Sequence, residues 1–66
     1  MQITLNGRPL DVAASTTVAQ LLTQAGYAGR RVAVEVNQEI VPRSRHEQHP
    51  LAEGDRVEIV HAIGGG

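Results

Sequence analysis

The first half of the chain switches from a two-residue to a helical repeat of apolar positions. Ile3 and Leu5 alternate with Gln2, Thr4 and Asn6, which predicts a half-buried strand. Asn6-Gly7 follows, and because both central residues of a type I′ turn need positive φ, this pair predicts a tight hairpin. Leu10 and Val12 alternate with Pro9 and Asp11 on the return strand. Pro9 cannot donate to a ladder, which places that strand at a sheet edge. Thr17-Val18-Ala19-Gln20 fits a capping box, in which side chain and backbone satisfy each other's orphan groups. Val18, Leu21, Leu22 and Ala25 then recur at i, i+3, i+4 and i+7. They predict a helix of about two and a half turns with one apolar stripe. Gly26 stands where a left-handed C′ residue ends such a helix.

The second half returns to period two. Val32, Val34 and Val36 share one face of a predicted strand. Asn37-Gln38 allows a turn, and Glu39-Ile40-Val41 is a short strand stopped by Pro42. Arg43 to Pro50 is polar and reads as a surface loop, with Leu51 as a core plug beneath it. After the turn Glu53-Gly54-Asp55, residues Arg56 to Ala62 form the last strand, Val57 and Ile59 on one face, Glu58 and Val60 on the other. The expectation is an α+β fold, one mixed sheet of four to five strands packed on one helix. Its core would be Ile3, Leu5, Leu10, Val12, Val18, Leu21, Leu22, Val32, Val34, Val36, Leu51, Val57 and Ile59.

Size and composition narrow the function. With 66 residues there is room for one domain, 1–66, and little volume for a ligand pocket of roughly 300–1,000 Å³ beside the core. That argues against a self-contained enzyme. An apolar content of 41% is too high for a disordered chain, and with no Cys there is neither a disulfide nor a thiolate metal site. A net charge of −1, no basic stripe and one aromatic, Tyr27, speak against a nucleic-acid partner. No apolar run is long enough to span a membrane and Met1-Gln2-Ile3-Thr4 is no signal peptide, so a cytoplasmic location is expected.

Catalytic and metal groupings are weak. Ser15 and Ser44 lie outside any nucleophile elbow, and the carboxylates are scattered over strands and turns. His46 and His49 are three apart in a predicted loop, where spacing fixes no geometry, and His61 is on the last strand. A metal needs at least three converging ligands. His46 and His49 therefore read as solvated loop residues, and His61 as a partly buried strand end, with no metal expected.

What remains is the ending, Ile63-Gly64-Gly65-Gly66. No helix follows these glycines, so they make no phosphate cradle. Ile63 to Gly66 would reach about 13–14 Å beyond the last strand. A tail without side chains fits a channel too narrow for other residues. The chain has no Lys, which suits a protein bearing an activated acyl group and equally an Arg-rich, GC-rich coding bias.

Three segments carry a family resemblance: Thr17-Val18-Ala19-Gln20-Leu21-Leu22, the stretch Val36 to Arg43, and the ending Val57 to Gly66. Together they resemble the ThiS family of thiamine-pathway sulfur carriers, in the ubiquitin-like β-grasp superfamily. The resemblance covers essentially the whole chain. It departs where many members carry an aromatic in place of Ala62, an aromatic within 44–49, or Gly in place of Gln38.

The resemblance implies a β-grasp fold with the first and last strands adjacent and parallel. It implies that the Gly66 carboxylate is adenylated with ATP by a ThiF-type enzyme, then converted to a thiocarboxylate with sulfur from a persulfide enzyme. The sulfur would pass to thiazole synthase, ThiG. The carrier would bind no cofactor and would not be an enzyme. Gly64 and Gly65 would thread into partner sites from a flexible tail, 63–66, with Val60, Ala62 and Ile63 as docking residues. The alternatives are a MoaD-like carrier for molybdopterin synthesis, or a ubiquitin-like modifier or interaction module.

Overall fold

The computed structural model describes residues 1–61. Strands β1 (Gln2–Leu5) and β2 (Arg8–Asp11) form the first hairpin, followed by helix α1 (Val18–Gln24). Then come β3 (Val32–Val36), β4 (Glu39–Val41), a 3-10 helix (Arg43–Gln48) and β5 (Arg56–His61). The strands make one sheet in the order β2-β1-β5-β3-β4. β5 runs parallel to β1 and antiparallel to β3, the β-grasp arrangement. β2, with Pro9, lies at an edge. Among the described residues no helix is long and apolar enough to cross a membrane.

Turn chemistry decides the local geometry. Asn6 and Gly7 have φ of 50° and 83°, and Asn37 and Gln38 have φ of 52° and 69°. Each pair therefore makes a hairpin turn with two left-handed residues, matched to the twist of its strands. The capping box is present: the Gln20 amide donates to Thr17 Oγ1 at 3.2 Å and the Thr17 amide donates to Gln20 Oε1 at 2.9 Å.

The helix ends one residue earlier than its apolar stripe predicts. Ala25 is the C-cap and is exposed. The Tyr27 amide donates to the Leu22 carbonyl at 2.7 Å and the Gly26 amide to that of Thr23 at 3.2 Å, a Schellman closure with Gly26 left-handed at φ 88°. This closure folds Tyr27 back against the core in the place the stripe assigns to Ala25.

The core lies between α1 and one face of the sheet. Ile3, Val12, Val18, Leu21, Leu22, Val34, Val36, Leu51, Val57 and Ile59 are buried, as predicted, and Val41 joins them. Leu5, Leu10 and Val32, predicted as core, are only partly buried at its margin. Within the predicted loop at 43–50, Arg43–Gln48 form a 3-10 helix in which His46 is buried at 7% exposure. The connection beyond it is stitched to the start of α1. The Val18 amide donates to the His49 carbonyl at 3.0 Å and the Leu51 amide to that of Thr16 at 2.8 Å.

Two variants test this packing. Leu21, at 0% exposure, sits at the centre of the helix–sheet contact. Leu21→Ala should cost about 2–5 kcal/mol in a urea titration; a loss under about 1 kcal/mol would contradict the burial. Gln38 holds a left-handed conformation that costs a side-chain-bearing residue about 1–2 kcal/mol. Part of that gain is offset by glycine's greater unfolded freedom. Gln38→Gly should still raise Tm by a few degrees, and a fall in Tm would contradict the turn assignment.

Candidate functional site

β5 leads toward the glycine ending and lies at the middle of the sheet. It pairs with β3 over its whole length, from Val36↔Val57 to Val32↔His61 and with Arg56 just beyond β3, beside Asn37. On its other edge it pairs with β1 through Thr4↔Arg56 and Leu5↔Val57. Where β1 ends, Asn6 continues the contact. Its amide donates to the Val57 carbonyl at 2.9 Å, and its side-chain Oδ1 accepts from the Ile59 amide at 2.8 Å. At the far end the His61 ring lies 5.8 Å from that of Tyr27, tilted by 50°. His61 is exposed, not partly buried as predicted. Tyr27 is placed there by the same closure that ends α1.

Val60 is 53% exposed on the sheet face turned away from α1. The other residues assigned to docking and tail chemistry, Ala62, Ile63, Gly64, Gly65 and Gly66, lie outside the described residues. One exposed apolar residue was missed: Ile40, 68% exposed. Its signal was present, because in the strand Glu39-Ile40-Val41 neighbouring side chains point to opposite faces. If Val41 enters the core, Ile40 must face outward.

The histidines do not converge. His46 is buried and its Nε2 lies 3.0 Å from the Val41 carbonyl. A carbonyl only accepts, so Nε2 carries the proton and donates. His46 thus fastens the 3-10 helix to the end of β4, which corrects its reading as a solvated loop residue. No group of three His, Asp or Glu among the described residues is arranged to hold a metal. Beside His46, Leu22, Tyr27, Arg30, Val32 and Arg43 line an open groove of about 250 Å³.

Residues 3–66 match the ThiS family. The chain belongs to the ThiS family. It is 38% identical to the sulfur carrier protein ThiS of Escherichia coli, the match covering all of both chains. It resembles the crystal structure of the thiamine biosynthesis protein ThiS from Geobacter metallireducens with a TM-score of 0.87 and 36% identity, covering all of both chains. It is also 47% identical to a thiazole synthase of Paramagnetospirillum magneticum and 46% identical to one of Magnetococcus marinus. Each of these matches covers the whole of this chain but spans only 20% of the relative's length.

His46 supplies a test of the structural against the metal reading. His46→Ala removes a buried ring and leaves the Val41 carbonyl without its donor. It should destabilise the fold by about 2–4 kcal/mol, and zinc should not change the wild-type Tm. A zinc-dependent rise in Tm that His46→Ala abolishes would restore the metal reading.

Proposed function

We propose that this chain is a sulfur carrier of thiamine biosynthesis whose working group is the Gly66 carboxylate. The observation that carries this reading is the end-to-end match to a stand-alone protein named sulfur carrier ThiS. The fold is consistent with it, since the strand leading to the glycines lies at the centre of the sheet, between β1 and β3. The two thiazole synthases containing a segment like this chain favour the thiazole branch over the molybdopterin one.

The chemistry follows from what a carboxylate lacks. Its oxygen is a poor leaving group, so a ThiF-type enzyme transfers AMP from ATP to it and pyrophosphate departs. A persulfide sulfur then attacks the activated carbonyl and AMP leaves. Cleavage of the sulfur–sulfur bond by a thiol releases the thiocarboxylate, a nucleophile that thiazole synthase accepts. The partners supply catalysis, and this chain supplies the reagent and the surface that delivers it. Gly64 and Gly65 let the arm enter narrow sites. Val60, Ala62 and Ile63 are its contacts outside the catalytic centre.

Incubation with a ThiF-type enzyme, ATP and a persulfide donor should raise the intact mass by the difference between sulfur and oxygen, localised to Gly66. Deleting Gly66 should abolish the gain. An unmodified wild type, under conditions that convert a known carrier, would refute the proposal.

A further inference from the structure

The open groove of about 250 Å³ lies on the α1 side of the molecule. Leu22 is buried and Val32 and Tyr27 are half-buried along it, while Arg30, Arg43 and Glu47 are exposed. Two elements bring the arginines there. In the turn after α1, the Arg30 amide donates to the Tyr27 carbonyl at 3.0 Å and Gly29 is left-handed at φ 78°. Arg43 opens the 3-10 helix. Neither guanidinium has a hydrogen-bond or ion-pair partner among the described residues. With Glu47 as the acidic residue of the lining, the groove is net positive on a chain of net charge −1.

The end of β5 meets the rim of this groove. Val32 and His61 are directly opposed, so their side chains share the α1 face of the sheet. The His61 ring lies 5.8 Å from that of Tyr27, a groove residue. Five residues follow His61 and reach about 17–18 Å at full extension. A reversal of direction needs only about four residues, so that length suffices to return to the rim. Gly64 and Gly65 accept the positive φ that several turn types demand. The group at the end is an α-carboxylate, which guanidinium groups hold through charge-assisted, bidentate bonds. A free anion or an acidic partner offers the same charge. The tail is tethered at the rim, and competes at an effective concentration on the order of millimolar.

We propose that this groove is the resting site of the chain's own C-terminal carboxylate, held between Arg30 and Arg43 until a partner draws it out. The proposal rests on the carrier reading for the free Gly66 carboxylate, and it adds a storage state to that reading. Charge-assisted bonds are set against the ordering of glycines, which lose the most freedom of any residue. The latch is therefore weak, with open and closed forms both populated. Weakness suits a carrier. Gly66 is covered between partners, and a partner site that binds it better shifts the population to the open form.

The test compares the unmodified wild type with the double variant Arg30→Gln, Arg43→Gln, by amide NMR and by the rate at which a carboxypeptidase releases Gly66. The Gly64, Gly65 and Gly66 signals should differ between the two proteins, and those of the wild type should move toward the variant's as salt rises. At low salt Gly66 should leave the variant about threefold faster, as expected for a latch closed about two thirds of the time. In about 1 M salt the two rates should converge. Both arginines are exposed, so the variant should keep the wild-type Tm within a few degrees. Superposable tail signals and equal release rates in the folded variant would overturn the latch. So would tail signals that change with protein concentration, which put the tail in a second copy's groove. Added inorganic phosphate that moves the groove signals and leaves Gly66 unmoved would also overturn it. None of these outcomes bears on conversion of Gly66 by a ThiF-type enzyme, so the latch and the carrier reading fail separately.

Discussion

β5 is bonded to β3 from Val57 to His61 and to β1 at its start, Arg56 and Val57, and the Asn6 side chain extends that first edge to Ile59. That placement joins the two ends of the sequence in one ladder and makes the last strand the middle of the sheet. The rest of the fold arranges itself around this constraint. The two hairpins flank the central pair, α1 covers the inner face through Val18, Leu21 and Leu22, and Leu51 closes the core below. A central strand is among the last parts of a domain to open. On the carrier proposal, a restrained β5 would lower the ordering cost of partner binding.

Much of this was legible because it is local. The Asn6-Gly7 turn, the capping box at Thr17 and Gln20, the end of α1 at Gly26 and the strand faces depend on residues within a few positions of one another. The features that were missed depend on distant partners. The polar run 43–50 has no apolar period, and only its bond to the Val41 carbonyl gives His46 an interior position. Ala25 lost its expected place because Tyr27 folds back through the Schellman closure. The groove at Arg30 and Arg43 exists only once α1 is known to lie against the 3-10 helix. The proposed tail chemistry rests on something else: residue type, glycines leading to a carboxylate, and family resemblance rather than packing.

On the carrier proposal, catalysis belongs to the partners and delivery to this chain. Catalysis within the chain would need a sheltered pocket, and a single thin core leaves little volume for one. Delivery needs a stable platform, a face that partners recognise and an arm slim enough to enter their sites. Turns, caps and a buried histidine reinforce the core, and the chain has no Cys to form a disulfide. The outer sheet face mixes apolar Ile40 and Val60 with the charged Glu35 and Glu58.

Genetic rescue tests the central claim most directly. A bacterial strain deleted for its own thiazole-pathway sulfur carrier, and therefore dependent on added thiamine or thiazole, would be given this chain. The account predicts growth without the supplement, lost when Gly66 is removed although the protein is still made. Failure of the expressed wild type to restore growth, or rescue of molybdopterin synthesis alone in a matching carrier-deleted strain, would contradict it.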